Sequence, residues 1–286
     1  MVNITGLSLS EKAEFAGYIR QDTLETVNQQ VQLVPVKNSF YTRYGKRMLD
    51  VIIALFALTV TLPINLVIAV VTFFDVGKPI LFRQKRIGKD RRTFTIYKFR
   101  NMTNAVDANG ELLPPGERVT KWGRFVRRTS LDELLNFISV LRGDMSIVGP
   151  RPLLDTYLDR FNKRDLQRYC VRPGLECPPY KRLNHPLTWN EKLANDVWYV
   201  QNCSLKVDIV LLYRIAQLAL DRKSTAIRSA AGIGGFLGYQ KDGTVISTQA
   251  VPEKYCEMFC QTHGYASMDE AFQHADDSKK RTVGAE

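Results

Sequence analysis

Residues 51–74 read VIIALFALTVTLPINLVIAVVTFF, an uncharged and almost wholly apolar run with Pro63 and Asn65 near its middle. At 1.5 Å per helical residue such a run can cross a hydrocarbon core of ~30 Å, which places the chain at a membrane. Pro63 removes a backbone donor and clashes with the preceding turn, so it divides the run into two halves of roughly half-bilayer length. Lys37, Arg43, Lys46 and Arg47 stand before the run, and Lys78, Arg83, Lys85, Arg86, Lys89, Arg91 and Arg92 after it. Basic flanks stay on the cytoplasmic side; a re-entrant hairpin broken at Pro63 satisfies both, and a proline-kinked crossing only one. A buried helix of a soluble core is the weakest of the three readings, and Pro63 alone does not choose between them, because ordinary transmembrane helices tolerate proline.

With 40 Lys plus Arg against 29 Asp plus Glu, the formal charge of +11 calls for an anionic partner or surface. The excess lies between Lys78 and Arg128, immediately after the apolar run, which favours lipid headgroups and phosphates at a membrane surface. Nucleic acid is excluded as the partner, since no aromatic platform or recognition-helix pattern accompanies the charge. The five cysteines, Cys170, Cys177, Cys203, Cys256 and Cys260, are odd in number and irregular in spacing, which fits a reducing compartment and no disulfide framework. Cys256, Cys260 and His263 lack a partner pair for a tetrahedral zinc site and read as thiols in a small apolar patch.

Four regions follow: an N-terminal extension (1–40), a re-entrant membrane segment with its basic flank (41–77), a cytosolic catalytic domain (78–228) and a C-terminal extension (229–286). The first contains a helical stretch near Ser10–Gln32. From Pro79 to Met102, apolar and basic residues alternate around a Gly-Lys-Asp turn, predicting two paired strands. Residues 106–119, with Asn-Gly and Pro-Pro-Gly, predict a loop. TSLDELLNFISVLRGD (129–144) carries Leu131, Leu134, Leu135, Ile138 and Leu141 at helical spacing, and Ser130 with Glu133 predicts a capping box. SIVGPRP (146–152) predicts a short strand entering a rigid turn, and further helices are expected at Pro152–Cys170, Thr188–Asn202 and Asp208–Leu220. The glycines at 232, 234, 235 and 238 lack a strand-GxGxxG-helix context, so dinucleotide binding is rejected.

The chemistry concentrates at Asp132 and Glu133. In the first turn of a helix both could be plain capping carboxylates. Their surroundings argue for more: Arg127 and Arg128 precede them, and Arg151 is clamped between Pro150 and Pro152, where a backbone fixed in advance lowers the ordering cost of a bidentate phosphate fork. Two adjacent acids in a basic pocket suit phosphoryl transfer, one attacking phosphorus and the other holding a divalent cation.

The succession of the proline-centred apolar segment, FRQKRIGKDRRTFTIYKFRNM, RRTSLDELLNFISVLRGDMSIVGPRPL, RPGL and WNEKLANDVWYVQNCSLKVDIVLL resembles the bacterial sugar transferases known as monotopic phosphoglycosyl transferases, over residues 40–225. The resemblance implies an α/β, mainly helical fold: a small antiparallel sheet surrounded by helices, with a re-entrant, proline-broken membrane helix hairpin. It implies transfer of a sugar-1-phosphate from a UDP-sugar to polyprenol (undecaprenyl) phosphate with release of UMP, at the cytosolic face of the bacterial inner membrane. Carried over by position, Asp132 is the nucleophile and Glu133 the ligand of Mg2+; Arg127, Arg151 and Lys98 bind phosphate. Lys46 and Arg47 match the basic pair at the membrane boundary, and Pro63 matches the helix break. Membrane lipid is an implied partner, and a homodimer stays open. Two departures stand out: Leu62 precedes Pro63 where serine is common, and LECPPYKRLNHP (175–186) replaces the family's glycine-tryptophan segment, so the donor could be unusual. The rival reading is a noncatalytic membrane scaffold with a basic surface, which leaves the acid pair and the GPRP turn without purpose.

Overall fold

The computed structural model describes residues 1–106, 113, 115–180, 183, 185, 187–220 and 233–275. Helix α1 (Leu9–Gln30) begins at a capping box in which the Ser8 hydroxyl accepts from the Glu11 amide and the Glu11 carboxylate accepts from the Ser8 amide. A π-helical turn, Tyr41–Gly45, leads into α2 (Lys46–Val76), and together they form the one helix among the described residues long and apolar enough to cross a membrane.

The expected separation of α2 into two helices at Pro63 is not seen; the 31-residue helix runs through the proline without interruption. Side chains around that position engage the backbone instead: the Thr59 and Thr61 hydroxyls donate to the Leu55 and Ala57 carbonyls, and the Asn65 amide donates to the Thr61 hydroxyl. Such back-bonding one turn earlier bends helices rather than ending them. Both ends of α2 dock on the same body. Near its start, Asp50 accepts from the Ser146 hydroxyl at 2.9 Å and the Ile147 amide at 3.0 Å. Near its end, the Thr72 hydroxyl accepts from the Trp122 indole and Asp75 from the Thr120 hydroxyl. Between them, Leu55, Phe56, Val60, Leu62, Ile64, Leu66 and Val67 are exposed.

Strands β1 (Leu81–Ile87) and β2 (Thr93–Phe99) form the antiparallel hairpin predicted from the alternation, in register from Leu81 opposite Phe99 to Ile87 opposite Thr93. Short helices α3 (Pro115–Arg118) and α4 (Lys121–Arg128) follow; the rest of the expected 106–119 loop lies largely outside the described residues. The segment after α4 departs from the single capped helix predicted for it. Ser130 adopts a left-handed conformation (φ 57°), Leu131–Glu133 form a 3-10 turn, and the α-helix proper, α5, spans only Asn136–Arg142. No capping box forms because the Glu133 carboxylate is drawn forward to two cations rather than back to the Ser130 amide.

Strand β3 (Ser146–Val148) pairs with β4 (Gly174–Glu176), and this pairing is parallel, where only antiparallel strands were expected. The backbones meet at two glycines: a Cβ on Gly174 would stand 2.1 Å from the Gly149 nitrogen. Between them, the helix expected over Pro152–Cys170 resolves into two 3-10 turns, Asp155–Arg160 and Asp165–Cys170, because Phe161 leaves the helical conformation (φ −81°, ψ 140°) to stack on Phe236 with ring centroids 4.8 Å apart. Helices α6 (Trp189–Asn202) and α7 (Leu205–Leu220) close the central core, where Val140, Ile147, Tyr199 and Leu211 pack on Ala54 of α2.

The two terminal regions meet. The hairpin β5 (Phe236–Tyr239) and β6 (Val245–Ser247) and helix α8 (Glu253–His263) share an apolar cluster with α1, in which Phe15 stacks on Phe259. Cys256 and Cys260 are buried in that cluster's neighbourhood, and no group of three or more metal-ligating side chains occurs among the described residues.

Candidate active site

The 3-10 turn after α4 presents Asp132 and Glu133 toward the face of the β1–β2 hairpin that carries Lys98. Asp132 is buried, 6% exposed, and accepts a hydrogen bond from the Asn101 amide at 3.2 Å. Glu133 is partly buried and bound by two cations through one oxygen: Lys98 Nζ at 2.7 Å and an Arg151 guanidinium nitrogen at 2.6 Å. Burial, and then the adjacent Glu133 charge, push the Asp132 carboxyl above the ordinary aspartate range; Lys98 and Arg127 pull it back in part. A carboxylate less comfortable as an anion is a stronger nucleophile, which suits attack on phosphorus.

Arg151 is held from behind. Its backbone carbonyl accepts from the Arg168 guanidinium at 2.8 Å, and Arg168, itself buried, is fixed by an ion pair with the buried Asp196 at 2.8 Å. In front, the second guanidinium nitrogen of Arg151 reaches Glu176 at 3.3 Å. The close crossing of Gly149 and Gly174 brings β4, and with it Glu176, beside the GPRP turn; a larger residue at either position would separate them. Arg127 is exposed at the end of α4 and acts on Asp132 through its field, at the rim rather than in contact.

Lys46 and Arg47 occupy the first turn of α2, but both turn inward. Lys46 pairs with the buried Asp208 at 2.7 Å and lies over the Tyr199 ring, and Arg47 donates to the Val140 and Leu141 carbonyls at the end of α5, where the helix dipole favours a cation. Pro63 is exposed at the middle of α2, remote in sequence from the acids.

Asn101, Glu176 and Arg86 join the site without having been singled out. Arg86 lies four residues beyond Phe82, the cross-strand partner of Lys98, and so on the same face of the hairpin. Burial and then the like charge of Arg151 push its guanidinium down, and its buried Nε has no hydrogen-bond partner among the described residues. The period-two rule applied to the predicted hairpin identifies Arg86; Asn101 and Glu176 carry no comparable signal in the sequence. Together Lys98, Arg86 and Arg151 form a cationic cluster around Glu133, next in sequence to Asp132, an arrangement able to receive phosphoryl oxygens.

Residues 41–222 match a family model described as bacterial sugar transferase. The chain is 41% identical over 167 residues to the uncharacterized sugar transferase EpsL of Bacillus subtilis, covering 58% of this chain and 83% of that one. It is 33% identical over 185 residues to the UDP-N-acetylgalactosamine-undecaprenyl-phosphate N-acetylgalactosaminephosphotransferase of Aeromonas hydrophila, covering 61% of this chain and 43% of that one. Against the undecaprenyl-phosphate galactose phosphotransferase of Salmonella typhimurium it is 30% identical over 216 residues, with 68% and 45% covered. The chain thus spans less than half the length of these last two relatives.

Proposed function

The chain belongs to the bacterial sugar transferase family, and from that premise we propose that it transfers a sugar-1-phosphate from a UDP-sugar to polyprenol phosphate, releasing UMP, as the first membrane step of a bacterial polysaccharide or glycoconjugate. The observation that carries this reading is Asp132, buried with a raised pKa among Lys98, Arg151 and the more distant Arg127. A scaffold has no use for a carboxylate so placed.

An Asp132 oxygen attacks the phosphorus that bears the sugar. One oxygen–phosphorus bond forms, the bond from that phosphorus to the oxygen bridging to UMP breaks, and UMP leaves with the electron pair. A phosphate oxygen of the lipid then attacks the same phosphorus, and the mixed anhydride opens to restore the Asp132 carboxylate. No net proton transfer is needed. Arg151 and Lys98, paired with Glu133 before substrate arrives, exchange that carboxylate for phosphoryl oxygens, and the Arg168–Asp196 pair keeps the Arg151 backbone still during the exchange.

Mg2+ fits the donor chemistry at Glu133, a hard carboxylate ligand once Lys98 and Arg151 turn to the phosphates: magnesium characteristically takes one or two carboxylates and completes its shell with water and substrate phosphate. Bound there, it would neutralise charge on the diphosphate. Glu133→Gln should mainly damage magnesium-dependent turnover.

The re-entrant reading of α2 draws support from its contacts. A crossing helix carries its two ends to opposite faces of the bilayer, where one body cannot reach both, whereas here Asp50 and Thr72 are both hydrogen-bonded to the body that holds Asp132. That body then rests on one leaflet, the cytosolic one by the basic flanks.

The decisive experiment supplies purified protein in lipid nanodiscs with a panel of UDP-sugars and polyprenol phosphate and measures UMP. One donor should give turnover, and Asp132→Asn should lower it by more than about 10³-fold and abolish a radiolabelled phosphosugar adduct. Full turnover by that variant removes the nucleophile from the mechanism.

A further inference from the structure

Helix α6 turns one face toward the candidate site. Asn195 donates to the Cys177 carbonyl at 2.9 Å, one residue beyond Glu176, and Asp196 binds Arg168, which donates in turn to the Arg151 carbonyl. Lys192 stands three and four residues before these two, on the same helix face and one turn nearer the start of α6. Its side chain leans back over that first turn, with Nζ 4.9 Å from the centre of the Trp189 ring. Trp189 is itself fixed: its indole donates to the Gly234 carbonyl at 3.1 Å, and its ring meets Phe236 at 5.4 Å and Tyr157 at 6.0 Å. Strand β5 of the C-terminal extension thereby holds the ring on which the Lys192 ammonium rests.

Lys192 is half-buried and makes no ion pair among the described residues. Burial pushes its ammonium down, Asp196 opposes this only in part, and the Arg168 and Arg151 charges add to it. Arg86, reaching in from β1, carries the same penalty from Arg151. Cations brought toward one another from three separate elements repel until an anion enters among them.

Arg151 gives this region a direction. One of its guanidinium nitrogens binds Glu133, next in sequence to Asp132 and also held by Lys98; the other reaches Glu176, on the β4 end against which the Lys192 face of α6 is packed. A diphosphate has a matching direction, since its two phosphorus centres are joined through one oxygen. With the sugar-bearing phosphate at Asp132, the second phosphate extends past Arg151 toward Glu176. There it meets a carboxylate that repels it, and Lys192 is the cation placed to offset that repulsion.

Resting on the phosphoryl-transfer reading, we infer that Lys192 binds the phosphate that departs with uridine. When the bond from the attacked phosphorus to the bridging oxygen breaks, the electron pair stays on UMP and its phosphate gains negative charge. The ammonium neutralises that charge without giving up a proton.

The test uses the full chain in nanodiscs. In Lys192→Met, which keeps an apolar stem over Trp189, UMP should bind about tenfold or more weakly, the loss expected of one charge-assisted contact, while uridine binds as it does to the wild type. Single-turnover release of UMP from the UDP-sugar should slow in the same variant, and Lys192→Arg should recover most of both. A melting temperature equal to that of the wild type reports that the variants are folded. UMP binding by Lys192→Met equal to that of the wild type, or an equal loss of UMP and of uridine, overturns the assignment and leaves the reaction standing. A wild type that releases no UMP from any UDP-sugar, with or without acceptor, removes the reaction itself and the inference with it.

Discussion

At Asp132 the demands of folding and of reaction oppose each other. Burial raises the pKa of the carboxyl in the folded chain, so any stability it contributes is present below the ordinary aspartate value of ~3.9 and is lost as pH rises through the folded value. At neutral pH the ionised side chain therefore works against the fold. Asp132→Asn keeps the shape and the Asn101 contact but cannot ionise, so the variant should melt at a higher temperature than the wild type at pH 7. The gap should narrow below pH ~4, where the wild-type carboxyl is also neutral. A variant that melts lower at pH 7 would show that the charge is stabilised by its cations and not strained by burial. On the proposed mechanism the same shift governs reaction: there only the carboxylate attacks, so the acid limb of UMP release under single-turnover conditions should lie above the pKa of a free aspartate.

Among the elements, α2 sets the relation of site to lipid, and its topology is open to direct measurement. If both ends lie on one side, cysteines placed at Ser39 and Lys78 should react with an impermeant maleimide in inverted membrane vesicles and be protected in right-side-out ones. Opposite sidedness of the two positions would replace the re-entrant reading with a crossing. The β1–β2 hairpin was legible because period-two alternation and a turn signal agreed over fourteen strand residues. The turn bearing the acids was not. Helical spacing of leucines and an apparent capping box both pointed to one helix from Ser130, yet Glu133 binds Lys98 and Arg151, residues 35 and 18 positions away. Local pattern cannot weigh two long-range ion pairs, in which both partners are charged, against the single capping bond they displace, in which only the carboxylate is. The parallel β3–β4 pair was hidden for a related reason: three-residue strands carry little periodicity, and their pairing depends on two glycines 25 positions apart in sequence allowing the backbones to cross.

For the whole molecule, the consequential feature is the union of the two chain ends, which the polar, glycine-interrupted composition beyond residue 228 gave no reason to expect. Phe236 is the keystone: fully buried, stacked on Phe161, and edge-on to Tyr157, with Trp189 tilted against it at 5.4 Å. Arg160 donates to its carbonyl at 2.8 Å, and the Trp189 indole donates to the Gly234 carbonyl at 3.1 Å. Through Tyr239, whose backbone carbonyl accepts from Thr23 and whose hydroxyl donates to the buried Asp165, α1 is tied to the segment that follows the GPRP turn. Phe236→Ala leaves an aromatic-sized void among rings that cannot collapse, at a cost of about 3–5 kcal/mol. Because that strand joins α1 to the turns behind Arg151, its loss should loosen both ends together. Limited proteolysis should then cut within residues 9–30 and 233–275 at matching rates, with the melting temperature lowered. Cleavage confined to the C-terminal segment, with α1 still protected, would show that the ends fold independently and that their shared cluster is incidental to the stability of the catalytic body.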